Sequence, residues 1–162
     1  GAAMSLKDCA WAQTEQTNIL KRFQDVYADY DLILSPTTPV SPFPWTSLYA
    51  DTINGEKQEN YYRWLALTYV VTLTTHPALS LPCGLDGHGM PFGLQIVGPF
   101  RGDREVLGAS YAMEQAFARI ESLRRPRPNV AALQLADPAL TSIVTAPPVL
   151  DGQAQGGSVS AV

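Results

Sequence analysis

The sequence predicts an α/β fold, and three observations support this class. Segments 78–82 and 92–97 alternate their residues with the period of two that a β-strand requires. Segments 5–28 and 103–123 repeat apolar residues at the spacing of an amphipathic α-helix. The length of 162 residues predicts one domain, which is large enough to bury a core.

The chain is expected to begin with a helix. Ser5 and Asp8 have the spacing of a capping box, with aspartate in place of the usual glutamate. The helix should then continue to about Ala28. Its apolar residues recur at helical spacing and predict one buried stripe, formed by Ile19, Leu20, Phe23, Val26, Tyr27 and Tyr30.

The next segments predict a strand, a loop and a second helix. Segment 31–34 is short and apolar, which indicates a buried strand, and the four prolines of segment 35–44 favour an extended loop. Segment 45–60 is polar and irregular, with Asn54-Gly55 as a turn. Segment 61–72 is apolar almost all round, so a helix there should be buried on most sides.

The two alternating segments predict a pair of strands, which an antiparallel arrangement would satisfy. Asp86-Gly87 gives a turn signal between them. Gly93 lies inside the second strand, where glycine indicates a close approach of another group to the backbone. Asp103 is the expected N-cap of the last helix, which Pro126 and Pro128 would prevent from continuing.

Composition excludes several classes of function. The net charge of −4 argues against a nucleic-acid surface. Cys9 and Cys83 lie far apart and indicate free thiols rather than a disulfide framework. No run of 18 apolar residues predicts a membrane span, and residues 1–8 do not have the pattern of a signal peptide. We therefore expect a cytoplasmic protein that binds neither nucleic acid nor membrane.

Two segments together resemble the amidase signature family of serine hydrolases. They read HPALSLPCGLD at 76–86 and GMPFGLQIVGP at 89–99. Segment 30–39, with an aspartate, an apolar strand and a Pro-Thr turn, fits the same family, as does the helix that carries Trp64. The resemblance covers residues 11–120 in family order.

The resemblance implies part of an α/β/α sandwich with a mixed sheet. Family members are about three times longer, so residues 1–130 would be the C-terminal portion of an amidase-like domain whose sheet has an open edge. Residues 131–162 lie outside the resemblance. They contain no aromatic residue, lysine or arginine, so they predict a disordered, low-complexity tail.

The resemblance also implies a mechanism whose reactive groups this sequence lacks. The family uses two serines and a lysine, all N-terminal to the matched portion, so no catalytic residue is assigned. Ser158 lies in a Gly/Ser-rich stretch, but no strand precedes it and the lysines lack the family spacing. His76 and His88 are interpreted as capping, packing or solvated residues, and Cys83 as a buried apolar residue. We expect no cofactor and no metal.

Without catalytic residues, this portion of the domain is expected to contribute to the shape of the substrate pocket. The resemblance implies that the loop after the strand at 31–34 and the Trp64 helix face a small-molecule amide substrate. The predicted pocket residues, which would suit an aryl or alkyl amide, are Trp64, Leu65, Thr68, Pro39 and Phe43. Glutamine-using relatives carry an aspartate at the position that corresponds to Leu65, which argues against amino-acid substrates. Ordinary core packing is the competing interpretation of these apolar side chains.

Three functions stay open at this point. The first is the C-terminal part of a hydrolase that cleaves carbon–nitrogen bonds of linear amides, inactive as an isolated chain. The second is a non-catalytic assembly subunit or pseudo-enzyme remnant that pairs with a larger chain. The third is a fragment of an amidotransferase A-type subunit. Each implies that the remainder of the domain is a partner, and a homo-oligomer also stays open.

Overall fold

Helices and strands alternate along the chain, as the sequence predicts. The computed structural model describes residues 3–44 and 47–133. The helices are α1 (Leu6–Val26), α2 (Tyr61–Trp64), α3 (Ala66–Leu73), α4 (Asp103–Phe117) and α5 (Val130–Leu133). The strands are β1 (Ile33–Pro36), β2 (Thr52–Ile53), β3 (Glu56–Lys57), β4 (Ala78–Leu85) and β5 (Pro91–Val97).

Helix α1 begins with the predicted capping box. The Ser5 hydroxyl accepts a hydrogen bond from the Asp8 backbone N–H at 3.2 Å, and the Asp8 carboxylate accepts one from the Ser5 N–H at 2.8 Å. The hydroxyl and backbone N–H of Ser5 lower the pKa of Asp8. The predicted buried stripe is wrong, because no residue of α1 is buried. Its members Ile19, Leu20, Phe23 and Tyr27 are half-buried, whereas Val26 and Tyr30 are exposed, Tyr30 to 65%. Since the helix ends at Val26, Tyr30 no longer follows helical spacing.

Strand β5 lies at the centre of a three-stranded sheet with the order β1-β5-β4. Both pairings are antiparallel, so the predicted pairing of the two alternating segments is confirmed. Strand β1 begins two residues later than expected, and it is not fully buried, because Leu34 is 48% exposed. In the described sheet β1 pairs only with β5, so it is an edge strand. An edge strand can contain Pro36, because proline has no N–H to donate to a second neighbouring strand.

The core lies between one face of this sheet and helix α4. Leu81, Ile96 and Val106 are its buried members, and Ile96 is fully buried. Half-buried side chains surround them: Leu32, Leu79, Leu94, Met113 and Phe117. Leu79 and Leu81 are therefore on the core-facing side of β4, as the period of two predicts.

Two helical predictions need correction. Segment 61–72 forms two helices rather than one, because Leu65 leaves helical geometry with φ −89° and ψ 7° between α2 and α3. The pair is also less buried than expected: Val71 is the buried residue of α3, whereas Tyr62 is 71% exposed. An apolar sequence pattern indicates that a helix can be buried on most sides. Burial also requires other elements that pack against those sides.

Helix α4 has Gly102, not Asp103, as its N-cap. A turn places Gly102 there, since its N–H donates to the Pro99 carbonyl at 2.8 Å. The helix ends at Phe117 instead of near Leu123 and continues as shorter turns.

The polar segment before α2 contains a small hairpin that the sequence analysis missed. The predicted Asn54-Gly55 turn joins β2 to β3, with φ of 52° and 82° at its two residues. These values suit the tight hairpin turns that asparagine and glycine favour. None of the described helices is long and apolar enough to cross a membrane. Of the predicted tail, residues 131–133 belong to α5, and the rest lies outside the described residues.

Replacing the central core residue should be costly. Ile96→Ala should lower the free energy of unfolding by about 2–5 kcal/mol, because it removes buried methyl groups and leaves a cavity. Leu34→Ala is the matched control: Leu34 is the register partner of Ile96 on β1, but it is 48% exposed. Urea unfolding should show a clearly smaller loss for the control. Equal losses would contradict the assignment of the core.

Candidate functional site

The sheet face opposite the core carries a row of polar side chains. Ser35, Gln95 and Ser80 are register partners across β1, β5 and β4. The buried Gln95 side chain donates from Nε2 to the Ser35 hydroxyl at 3.1 Å and to the Leu67 carbonyl at 2.9 Å. One amide thus ties the central strand to the edge strand and to helix α3.

Two side chains approach the backbone closely at Gly93, as the sequence predicts. The hydroxyls of Thr37 and Ser80 lie 2.7 Å apart and share a hydrogen bond. A Cβ atom at position 93 would lie 2.8 Å from Ser80 Oγ and 2.9 Å from Thr37 Oγ1. The hydroxyl pair therefore occupies the space that a side chain at position 93 would take. Sequence alone did not identify this pair, because Thr37 and Ser80 meet only through the strand register.

Two of the predicted pocket residues contact each other. The rings of Phe43 and Trp64 pack edge to face with centroids 5.3 Å apart, and Tyr61 adds a second edge contact to Trp64 at 6.0 Å. Both Phe43 and Trp64 are half-buried, and the Trp64 indole N–H is buried without a hydrogen-bond partner in the described part of the chain. This aromatic cluster joins the proline-rich loop to helix α2.

Leu65 and Thr68 form the junction between α2 and α3. The Leu65 carbonyl accepts hydrogen bonds from the Thr68 backbone N–H and from its hydroxyl, both at 2.9 Å. Both side chains are half-buried. The Thr68 hydroxyl is therefore engaged with the backbone of its own helix.

The structure places the other predicted residues around two different clefts. Pro39 lines a cleft of about 650 Å³ between the β2–β3 hairpin and α3, together with Leu67 and Tyr69. Thr68 lines a second cavity of about 530 Å³ near the start of β4. The five residues therefore border more than one space, and a single common pocket stays a prediction.

The lysines and serines of the described part do not combine into a catalytic group. Lys7, Lys21 and Lys57 are exposed, and no hydrogen bond joins any of them to a serine within residues 3–44 and 47–133. Ser158 lies outside the described residues. No group of three or more potential metal-ligating side chains was found in the described part.

A serine, a histidine and an aspartate do meet at the tip of the β4–β5 loop. Ser41 Oγ lies 3.4 Å from His88 Nδ1, a contact the sequence analysis did not anticipate. The Asp86 carboxylate accepts from the backbone N–H groups of His88 and Met90, and the Ser41 hydroxyl contributes most to lowering its pKa. No hydrogen bond joins the Asp86 carboxylate to the His88 ring within the described residues, and the Ser41–His88 contact of 3.4 Å is long, so the three groups lack the order of a Ser-His-Asp triad. The group closes a loop rather than activating a nucleophile.

The remaining candidates behave as structural residues. His76 is buried, and its Nδ1 donates to the Thr74 carbonyl at 2.9 Å. Burial raises the pKa of the Cys83 thiol, which disfavours the reactive thiolate. Cys9 is exposed on α1. Neither cysteine is in a disulfide bond.

The hydroxyl pair at Gly93 can be tested by a double-mutant cycle. Gly93→Ala should destabilise the chain by about 1–3 kcal/mol, because its methyl group overlaps Ser80 and Thr37. Adding Ser80→Ala should recover part of the loss in thermal unfolding. Gly87→Ala is the control, since a Cβ there would have no atom within 4 Å. Strict additivity of the two changes would argue against the overlap.

Known proteins share both the sequence and the fold of this chain. A family model described as Amidase matches residues 2–107. The A-type subunit of glutamyl-tRNA(Gln) amidotransferase from Halothermothrix orenii is 35% identical over 121 residues, which cover 74% of this chain and 23% of that protein. A bacterial aryl acylamidase of the amidase signature family superposes with a TM-score of 0.61 at 30% identity, over 71% of this chain and 24% of that one.

A third known protein also shares the fold of this chain. The corresponding glutamyl-tRNA(Gln) amidotransferase protein of Thermotoga maritima superposes with a TM-score of 0.56 at 26% identity, over 75% of this chain and 25% of that one. The chain thus spans about a quarter of the length of the proteins it matches. Since the family model covers well over half of the chain, this protein belongs to the amidase signature family.

Proposed function

We propose that the chain is the C-terminal part of an amidase-signature serine hydrolase that cleaves the carbon–nitrogen bond of a linear amide. Residues 1–130 supply the sheet, most of the helices and part of the substrate pocket. The serine pair and the lysine come from the remainder of the domain, which is a separate chain or adjoining sequence. The enzyme works in the cytoplasm.

The match to the Amidase family model over residues 2–107 carries this proposal. Two further observations support it. A bacterial aryl acylamidase has the same fold over most of this chain at 30% identity. The described part has the aromatic contact between Phe43 and Trp64 beside a cleft, but no lysine hydrogen-bonded to a serine. Walls without a nucleophile are what the C-terminal part of such a hydrolase would contribute.

The character of these walls suggests an apolar substrate. Phe43 and Trp64 pack edge to face, with Leu65 half-buried next to Trp64 in the chain. The neighbouring cleft of about 650 Å³ has the volume of a small-molecule site, and both apolar and charged side chains line it. The apolar ones include Pro39, Leu67 and Tyr69, and the charged ones are Glu56, Lys57, Glu59 and Arg63. The contact between Phe43 and Trp64, and not this cleft, would favour an aryl or alkyl amide over a charged one.

A fragment of an amidotransferase A-type subunit is the second candidate. Its support is the identity of 35% to such a protein from Halothermothrix orenii and the shared fold with its Thermotoga maritima counterpart. Leu65 argues against it, because an apolar side chain at that position cannot pair with a substrate ammonium group. In this case the partners would be the other subunits of an amidotransferase.

An activity assay separates the candidates. The isolated chain should not hydrolyse 4-nitroacetanilide, whereas the product of the encoding DNA with its upstream codons should release 4-nitroaniline. Ammonia release from glutamine, without cleavage of the anilide, would instead support the amidotransferase. Failure of the complete product on both substrates would support a non-catalytic subunit. Activity of the isolated chain that Ser158→Ala abolishes would overturn the proposal.

Leu65 should determine the choice of substrate. In the complete enzyme, Leu65→Asp should reduce anilide hydrolysis by about tenfold, because a charged carboxylate would replace an apolar contact. Leu85→Asp is the control, since Leu85 is 54% exposed at the far end of β4. The ratio of kcat/KM values measures the effect. Equal kcat/KM values for both variants would show that Leu65 does not line the substrate pocket.

A further inference from the structure

A second cavity lies beside helix α3 and shares Thr68, but none of the other four residues, with the predicted aryl pocket. The end of α3, the start of β4 and the loop between β5 and α4 enclose about 530 Å³. Thr68 lines it, whereas Pro39, Leu67 and Tyr69 line the cleft beneath the hairpin. The volume is within the range of small-molecule sites.

Two of the side chains that line this cavity are polar and buried. Gln95 and His76 are each 6% exposed. The two hydrogen bonds from Gln95 Nε2 to Ser35 and Leu67 hold its amide in place. His76 is held by its bond to the Thr74 carbonyl and by a stacked Tyr27 ring at 5.4 Å. The polar wall is therefore built from fixed side chains, as a binding site requires.

The His76 ring has an unused hydrogen-bonding atom. A carbonyl can only accept, so Nδ1 carries the hydrogen in the bond to Thr74, and Nε2 is the acceptor of the neutral ring. Nε2 is buried and has no partner in the described part. Buried polar atoms are normally paired, so the unpaired Nε2 makes His76 an exception among the buried residues near this cavity.

Two opposite charges also line the cavity. Arg101 and Asp103 are both exposed, and neither forms an ion pair within the described part, where Arg63–Glu59 is the ion pair found. The Arg101 guanidinium carbon lies 5.2 Å above the centre of the Phe100 ring. One cation and one anion are thus available at the same cavity.

The backbone around the cavity is held in an uncommon conformation. Thr75 and Arg101 have φ of 55° and 63°, and both line the cavity. Of the non-glycine residues in the described part, only Asn54 shares this left-handed geometry, and it lies in a hairpin turn. Side chains disfavour this region, and such residues tend to cluster at functional sites.

We propose that this cavity binds a small zwitterion of the α-amino-acid class, with its carboxylate on Arg101 and its ammonium group on Asp103. A simple anion would meet the charge of Asp103, and a simple cation that of Arg101, so a ligand with both charges satisfies the pair. The inference does not depend on the proposed hydrolase. The charged pair that carries it, Arg101 and Asp103, is not among the predicted pocket residues, and a hydrolase assay does not test that pair.

The test is a titration of the full 162-residue chain, followed by NMR amide shifts. The probe is L-alanine, with propionate and ethylamine as ligands that carry one charge each. Alanine should produce saturable shifts at residues 75, 76, 78 and 101–103, with a Kd of roughly millimolar because the ligand has few atoms. The two single-charge ligands should bind about tenfold more weakly, since each loses one charge-assisted contact.

Variants identify the groups that bind. Arg101→Asn, which suits the left-handed backbone, and Asp103→Asn should each weaken alanine binding by about tenfold. Arg104→Gln and Glu105→Gln are matched controls on the same turn and should leave Kd unchanged. Thr72→Trp should block the cavity without changing charge, which keeps the test valid if a charge variant fails to fold. No saturable shift with alanine, equal binding of propionate or ethylamine, or insensitivity to the Arg101 and Asp103 variants would overturn the proposal.

Discussion

The pairing of β5 on both of its edges is the constraint on which the described structure depends. Strand β5 hydrogen-bonds to β1 and to β4, so every residue from Leu94 to Val97 has a register partner on each side. Ile96 and Val97 are almost completely buried as a result. Without β5, neither edge strand would have a neighbour in this sheet, and the core would lose Ile96, which packs with Val106 of α4.

The two faces of this strand perform different tasks. Leu94 and Ile96 face the core, where apolar burial stabilises the packing of α4. Gly93 and Gln95 face the polar side, where one gives space to a hydroxyl pair and the other anchors α3. Polar groups can be buried there at little cost because each is hydrogen-bonded. The alternation of side chains along β5 thus places the core contacts of Leu94 and Ile96 on one face and the Gly93 and Gln95 contacts on the other.

The sequence predicted those features whose cause is local. The capping box at Ser5, the Asn54-Gly55 turn and the alternation in β4 and β5 each depend on residues a few positions apart, and the structure confirms them. The predictions that failed depended on neighbours distant in the chain. Burial of Leu34 and of α3 requires covering elements. The N-cap of α4 is an exception, because a local turn from Pro99 places it at Gly102.

The same distinction applies to the candidate site. Apolar residue types identified Phe43 and Trp64, which do meet, but no local pattern could show that Thr68 and Pro39 border different spaces. The contact between Ser41 and Asp86 is also invisible in sequence, since it joins the proline-rich loop to a turn far along the chain. Only the register of the strands brings such pairs together.

Gln95 shows how the two clefts are related. Its side chain lines the cavity that holds His76 and Arg101, while its Nε2 donates to the carbonyl of Leu67, which lines the cleft with Pro39. A single buried amide therefore fixes the distance between β5 and the helix that separates the clefts. Because Ser35 takes the second hydrogen of the same nitrogen, β1 is positioned by the same group. The geometry of both clefts thus depends on one side chain of the central strand.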